Sequence, residues 1–431
     1  MSTTTTIPMA ILAAMCCSSA MAAGGPLKVY ILAGQSNMEG QAKVETFDYI
    51  GDDPATAPLL KEMRGPDGKP RVCENVWISY LTGSKDNNGE GLGKLTAGYG
   101  SRYGGDIAEL SDKIGPEFTF GITASKAYDG PILIIKTAWG GKSLNTDFRP
   151  PSAGPYKFSE AHLESLKKQG KDIETVKADK AKATGRYYRL MIDHVVNVLK
   201  DIKRVYPDYD ATQGYEIAGF VWFQGWNDMC DGHTYPERHK PGGYTEYSGL
   251  MAHFIRDVRK DLSAPKMPFV IGVIGVDGDS ATGGIANLRP AMAAPVALPE
   301  FKGNVAAVQT LPYWDEALAA IAAKFKKPKG LAHHLRNGGL PGKVAADRYP
   351  LAYAMRKEYW DTPPKERKMS KDQQRSYVNE YRARVITPED EALWKRGASN
   401  AGYHYLGSAK TMALIGKAFA EAILDIEARK D

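Results

Sequence analysis

The stretch VYILAGQSNMEGQA, residues 29 to 42, decides the reading of the fold. Val29 to Ala33 is an apolar, β-branched run of the kind that forms a strand buried on both faces. It passes without a spacer into Gly34-Gln35-Ser36-Asn37-Met38. The glycine lets the backbone turn tightly, which lifts the serine hydroxyl clear of the sheet edge. A serine just past the carboxyl end of such a strand sits where α/β enzymes place reacting groups. Taken alone the stretch also suits a plain polar turn, so the rest of the chain has to decide.

Four more apolar runs follow Lys28 to Ala33. They are Pro131 to Thr137, Glu216 to Phe223, Phe269 to Val276 and Asn304 to Thr310. None alternates apolar with polar, which suits strands covered on both faces of a parallel sheet. Between them lie helical stripes at Tyr187 to Val205 and Tyr247 to Leu262, and a third, from Ser408 to about Arg429, closes the chain. Met412, Ile415, Phe419 and Ile423 give that last one its apolar face. The alternation predicts a three-layer α/β/α fold with a five-stranded parallel sheet, of the flavodoxin-like type. Residues 43 to 105, 147 to 185 and 312 to 400 are polar or glycine-rich and are expected to be insertions at the rim of one domain spanning residues 23 to 431.

Composition narrows the class. Apolar content of 43% and charged content of 25% are those of a globular protein. The net charge of +6 is a small difference between 56 basic and 50 acidic residues, with no arginine-rich arm to suggest nucleic acid. Ile7 to Ala22 is apolar, uncharged and ends in Ala20-Met21-Ala22, which predicts a signal peptide over residues 1 to 22 and export, periplasmic or secreted. Cys16 gives a lipid anchor only weak support, because a methionine precedes it. No later segment is long and apolar enough for a transmembrane helix. Cys73 and Cys230 remain after that cleavage and read more readily as unrelated thiols than as a pair.

Each strand end carries residues that chemistry can use. Ala138-Trp139-Gly140-Gly141-Lys142-Ser143 follows the second run, Phe223-Gln224-Gly225-Trp226-Asn227-Asp228 the third, and Tyr403-His404-Tyr405-Leu406-Gly407 precedes the last helix. A serine, a glycine backbone, an asparagine amide and a histidine are the parts of an acyl-transfer site. The hydroxyl is a weak nucleophile until a base takes its proton, and the oxyanion that forms needs converging donors.

With these residues the chain resembles the SGNH hydrolases, and among them the sialate O-acetylesterase-like branch of carbohydrate acetylesterases. Gly34-Gln35-Ser36-Asn37-Met38 is similar to that branch's nucleophile motif, and Gly225-Trp226-Asn227-Asp228 fits the superfamily's G-x-N-D pattern. The resemblance runs from about Leu27 to the end, apart from the insertions. It implies Ser36 as nucleophile and His404 as general base, with the oxyanion held by the N–H of Ser36, the N–H of Gly141 or Gly140, and the Asn227 amide. Two departures concern the acid member. Where many relatives have aspartate three residues before the histidine this chain has Ala401, preceded by Asn400, and where the branch often has Gln-Gly-Glu it has Gln224-Gly225-Trp226. Asp228 is the nearest carboxylate by sequence, either as the acid or as a brace of its loop. A backbone carbonyl behind the imidazole, giving a Ser-His dyad, is the other possibility.

Gln35, Gln224, Trp139, Trp226 and Arg149 are candidate substrate contacts, the tryptophans for a sugar face and Arg149 for an acidic group. Asp231 and His233 beside Asp228 supply too few ligand types for a metal. His333 and His334 lie in a basic insertion and read as solvated. The expected activity is removal of acetyl groups from a carbohydrate, with acetylated carbohydrate as the partner and no need for a metal or organic cofactor. Two rival readings stay open: a carbohydrate-binding protein on a decayed esterase scaffold, and an esterase acting on non-sugar acyl esters.

Overall fold

The structure is a computed structural model and describes residues 25–83, 89–102 and 109–429. The signal-peptide segment, with Cys16 and Cys17, lies outside the described residues. Seven strands form the main sheet: β1 (Leu27–Gly34), β2 (Val76–Thr82), β3 (Gly89–Lys94), β4 (Ile132–Ala138), β5 (Tyr215–Phe223), β6 (Phe269–Val273) and β7 (Val305–Gln309). Their order is β3-β2-β4-β1-β5-β6-β7, with every neighbouring pair parallel except β2 and β3.

All five predicted strands are present, and the count of five is corrected to seven. The two extra strands come from residues 43 to 105, whose composition is that of an insertion. Val76-Trp77-Ile78-Ser79-Tyr80-Leu81-Thr82 is a strand sequence in its own right, masked by the glycines and charges around it. Its partner Gly-Glu-Gly-Leu-Gly-Lys has almost no strand signal and forms only as an edge, held by pairing with β2.

Helices α1 (Ser36–Glu39), α2 (Glu117–Ala124), α3 (Arg186–Lys200), α4 (Trp226–Cys230), α5 (Thr245–Asp261) and α6 (Gly283–Ala293) flank the sheet or its strand ends. Helices α7 (Glu316–Arg336), α8 (Lys371–Val385) and α9 (Pro388–Gly397) follow it, and α10 (Ala409–Ala428) returns to cover it. Successive strand residues face opposite sides. Trp222 meets Phe254 of α5 at 4.3 Å between ring centroids, while the next residue, Phe223, meets Phe419 of α10 at 5.3 Å. The two helices therefore cover opposite faces, and the fold is the three-layer α/β/α arrangement expected. Close packing explains two glycines of the sheet: a Cβ on Gly219 would stand 2.7 Å from Ile423, and one on Gly272 would stand 2.5 Å from Phe419.

Beyond β7 the polypeptide leaves the sheet for a helical region that builds a second apolar cluster, with Leu331, Leu335, Tyr349, Trp360, Tyr377 and Tyr381 buried in it. Its helices start at strong local signals. Asp315 caps α7 through Leu318 N–H (2.9 Å), and Ser370 with Gln373 and Thr387 with Asp390 form capping boxes at α8 and α9. Cys73 and Cys230 are both free thiols, the first buried and the second exposed. Among the described residues, no helix is long and apolar enough to cross a membrane.

Candidate active site

Register places the three predicted motifs side by side. Gly34 of β1 is paired with Ala138 of β4 and with Phe223 of β5, so all three strands end at one level. Ser36 emerges two residues past that level, Gly140 and Gly141 two and three residues past Ala138, and Asn227 four past Phe223. The chain moves outward from β1 to β2 and β4 on one side, then crosses to β5, β6 and β7 on the other. The site therefore opens at the switch point of the topology, where parallel sheets leave a crevice. Gly34 is required there, because a Cβ would lie 2.1 Å from the Phe223 carbonyl oxygen.

Three side-chain amides lock this end of the sheet. Gln35 Oε1 faces the backbone N–H groups of Gly225 and Asn227 (3.3 Å each) and Gln224 Nε2 (3.1 Å). Because those partners are donors, the atom facing them is the oxygen, and Gln35 Nε2 is turned to Asn227 Oδ1 (3.1 Å). The Asn227 oxygen is thus occupied, and its Nδ2 is the group left for a ligand. Gln224 Nε2 also reaches Lys142 O (3.1 Å) and Asp228 Oδ2 (2.7 Å). Gln35 and Gln224 are both 2% exposed. Their polar atoms bond to each other and to the loops, while both residues line a small pocket with Asn37, Trp226 and Ile274.

Asp228 is fully buried and accepts four hydrogen bonds. Two come from the backbone of Leu144 (2.7 Å) and Asn145 (3.0 Å), the others from Gln224 and from the Tyr235 hydroxyl (3.0 Å). Burial pushes its carboxyl up to about 6 even against those donors. Its contacts tie the Asn227 loop to the loop that carries Gly140 and Gly141, and none of them goes to His404. Arg149 is 6% exposed, and its guanidinium donates to the carbonyls of Gly154 (2.8 Å), Asn145 (3.1 Å) and Ala153 (3.3 Å). It clasps its own loop and does not face a ligand. Trp139 is 1% exposed and packs on Tyr187 (5.1 Å) and Phe148 (6.0 Å), so it belongs to the core.

Glu39, three residues after Ser36, joins the site without a sequence signal that points to it. Burial holds its carboxyl above the usual carboxylate range, against the Thr82 hydroxyl that donates to it (3.0 Å) and the nearby Gly140 backbone. Among the described residues, no hydrogen bond uses the Gly141 N–H, the next donor of the turn. Gly141 has φ +74°, a left-handed conformation that glycine adopts at no steric cost. A Cβ on Gly140 would sit 3.7 Å from Ser36 Cβ, which measures how closely this loop approaches the serine.

His404 lies on a strained turn. Tyr405 and Leu406 have φ of 51° and 61°, unusual for residues with side chains. They are held there by the Tyr405 hydroxyl, which accepts from Gly275 N–H (2.7 Å) and contacts Thr310 Oγ1 (2.6 Å), and by the Leu406 carbonyl, which accepts from Ser399 and Asn400 (2.9 Å each). The turn buries Tyr405 and leaves His404 partly exposed. Asn37 Nδ2 donates to Tyr403 O (3.2 Å), joining the histidine's turn to the residue after Ser36.

The group behind the imidazole is the Asn400 side chain. Its Oδ1 accepts the Ala401 N–H (2.7 Å) and lies 3.0 Å from His404 Nδ1. The Ala401 donor identifies that atom as oxygen, so Nδ1 carries the proton and Nε2 is the basic nitrogen. Burial, with the positive charge of Lys113 adding to it, depresses the imidazole to about 4. The sequence directs attention to position 401 and to a backbone carbonyl for this role, and neither fills it. Asn400, four residues before the histidine, reaches it only because of the turn between them. Tyr403 is 45% exposed, 4.4 Å from the His404 ring and 5.7 Å from that of Trp226, so two partly open aromatic rings flank the imidazole.

Residues 102–310 match the family model for carbohydrate esterase, sialic acid-specific acetylesterase. The matched segment contains the Gly140–Gly141 and Asn227 loops, with Ser36 and His404 on either side of it. No curated protein matches the chain. Solved structures similar to it include a protein from Arabidopsis thaliana, 18% identical, covering 66% of this chain and 86% of that one at a TM-score of 0.35. A carbohydrate acetylesterase from Xanthomonas citri is 14% identical, covering 65% and 49% at 0.35. NanS is 14% identical, covering 66% and 78% at 0.35. The match includes the Gly225-Trp226-Asn227-Asp228 motif and agrees with the resemblance it carries: over residues 102–310 the chain is similar to the sialic acid-specific acetylesterases, and it is a carboxylic ester hydrolase.

Proposed function

We propose that this protein removes O-acetyl groups from a carbohydrate through an acetyl-enzyme on Ser36. The observation that carries the reading is the common level at which β4, β1 and β5 end, with a serine, a glycine N–H and an asparagine NH₂ past it that no hydrogen bond among the described residues uses. His404 Nε2 takes the Ser36 hydroxyl proton as Oγ attacks the ester carbonyl. The developing oxyanion is received by the N–H groups of Ser36 and Gly141 and by Asn227 Nδ2, each such donor being worth about 10² to 10³ in rate. The imidazolium then protonates the leaving sugar oxygen. Water, activated in its turn by His404, releases acetate and restores the serine.

Asn400 in the place of a carboxylate supports a slower base. The amide oxygen holds the Nδ1–H tautomer but does not offset the positive charge that forms on the ring. Trp226 and Tyr403 are suited to stack on a sugar face at the mouth. The apolar segment from Ile7 to Ala22 supports export of the enzyme.

The test is hydrolysis of p-nitrophenyl acetate by the chain without residues 1 to 22, beside Ser36→Ala and His404→Ala, followed by acetate release from acetylated glycans. Turnover that either substitution reduces by about 10³ or more fits the proposal. A parent with no turnover and no labelling of Ser36 by a fluorophosphonate would sink it and leave a carbohydrate-binding protein.

A further inference from the structure

The positive charge of this chain is not spread evenly. The helical region from Glu316 to Gly397 contains eighteen lysines and arginines against ten aspartates and glutamates, a net +8, whereas the whole chain carries +6. The remainder is therefore slightly acidic, with a net −2. This basic region has its own apolar cluster, and its surface holds a groove of about 550 Å³ between the Met355–Tyr359 turn and the segment from Thr362 to Met369.

Four basic side chains line the groove, against Glu358 and Glu366. Lys357 is paired with Asp361 (2.6 Å). Arg367 is fixed by three backbone carbonyls, those of Thr362, Leu340 and Trp360, so its charge is held in the wall with no carboxylate bonded to it. Among the described residues, Arg356 and Lys368 have no ion-pair partner. Both are exposed, Arg356 with its guanidinium 5.2 Å from the Tyr377 ring. The groove thus offers one rigid cation and two open ones around a concave wall.

We propose that this groove is a docking site for an acidic polysaccharide, whose carboxylate or sulfate groups pair with Arg356 and Lys368 beside the fixed charge of Arg367. The inference rests on the carbohydrate reading of the catalytic site for its choice of polymer. Two further observations favour a glycan over other polyanions. The Tyr359 ring is covered by the Arg367 guanidinium at 5.3 Å, so it is not open to stack a nucleic-acid base. A concave wall also does not suit the flat surface of an anionic bilayer.

The experiment is native affinity electrophoresis of the chain without residues 1 to 22 through gels containing polygalacturonate, dextran sulfate or neutral dextran. The double variants Arg356→Gln/Lys368→Gln and Lys326→Gln/Lys329→Gln run beside it. Removing two charge-assisted hydrogen bonds at once predicts at least about a tenfold weaker retention by the acidic polymers for the groove variant. The control pair, in α7 away from the groove, should stay within about twofold, since it changes the net charge equally and only the diffuse field feels it. Melting temperature confirms that each variant folds. Equal losses in the two double variants would reduce the effect to the diffuse field of the helical region and overturn the proposal. So would retention as strong in neutral dextran, no retention at all, or tighter binding of single-stranded RNA or anionic vesicles. Hydrolysis of p-nitrophenyl acetate by the same samples is read separately. A failure there would count against the esterase and not against the groove.

Discussion

The two halves of the proposed catalytic site are built in different ways. On the serine side, Ser36, Gly141 and Asn227 stand on the ends of three adjacent parallel strands, and Gln35, Gln224 and Asp228 bind their loops into one buried polar unit. On the histidine side, one residue sits on a turn with two left-handed neighbours, and a single amide oxygen holds its ring. The serine side is rigid because the sheet and a saturated set of donors fix it. The histidine side depends on local backbone strain compensated by the Tyr405 hydroxyl. Damage to the first should therefore act on the oxyanion, and damage to the second on the proton transfer.

The largest effect that sharpens this contrast is expected from Asn227→Ala. It removes a donor to the oxyanion and should lower kcat by about 10² to 10³ with little change in KM. Steady-state kinetics on p-nitrophenyl acetate measures it, and a change confined to KM would refute the oxyanion role. Gln35→Ala comes next. It leaves Asn227 in place but frees its amide to rotate, so kcat should fall by about tenfold to a hundredfold. An unchanged kcat would mean that the buried amides do not position the donor. Asp228→Asn should cost about 1 to 3 kcal/mol of stability, because one amide oxygen cannot satisfy the donors that two carboxylate oxygens accept. Denaturant unfolding reads that loss, and an unaltered midpoint would show that the loops are held by other contacts.

The same contrast explains what the sequence reveals. The five apolar runs are legible because strands buried on both faces must be apolar along their whole length. β3 is not, since its glycines form a strand only through the neighbour that pairs with them. The serine side of the site is legible because its residues lie in two short contiguous motifs at strand ends. Which way their neighbours point is not. Arg149, Trp139, Gln35 and Gln224 are of the right types for a ligand, yet each finds partners inside the protein, and residue type alone does not give that direction. Asn400 is hidden for another reason: it reaches His404 through the tight turn closed by the His404 N–H on the Ala401 carbonyl (2.9 Å), and no glycine, proline or other turn residue between them announces that contact except Gly402.

The smallest effect bears on the histidine side alone. A base that must be neutral to act loses function as pH falls through its own pKa. Burial and Lys113 hold His404 near 4, well under the ordinary imidazole value, so the acid limb of kcat/KM should have its midpoint near 4. Replacing Asn400 by aspartate puts an anion at the Nδ1 side, where it stabilises the imidazolium. The folded-state pKa then rises, and the acid limb moves up with it toward the usual range. The rate on the plateau should increase by about tenfold, because the charge that forms in the transition state gains a partner. Asn400→Ala should instead lower the plateau by about the same factor through loss of the tautomer. Activity profiles from pH 3 to 9 for the three proteins distinguish these outcomes. If Asn400→Asp leaves both limb and plateau where they are, the ring is not oriented by residue 400, and the difference between the two halves of the site is smaller than their construction implies.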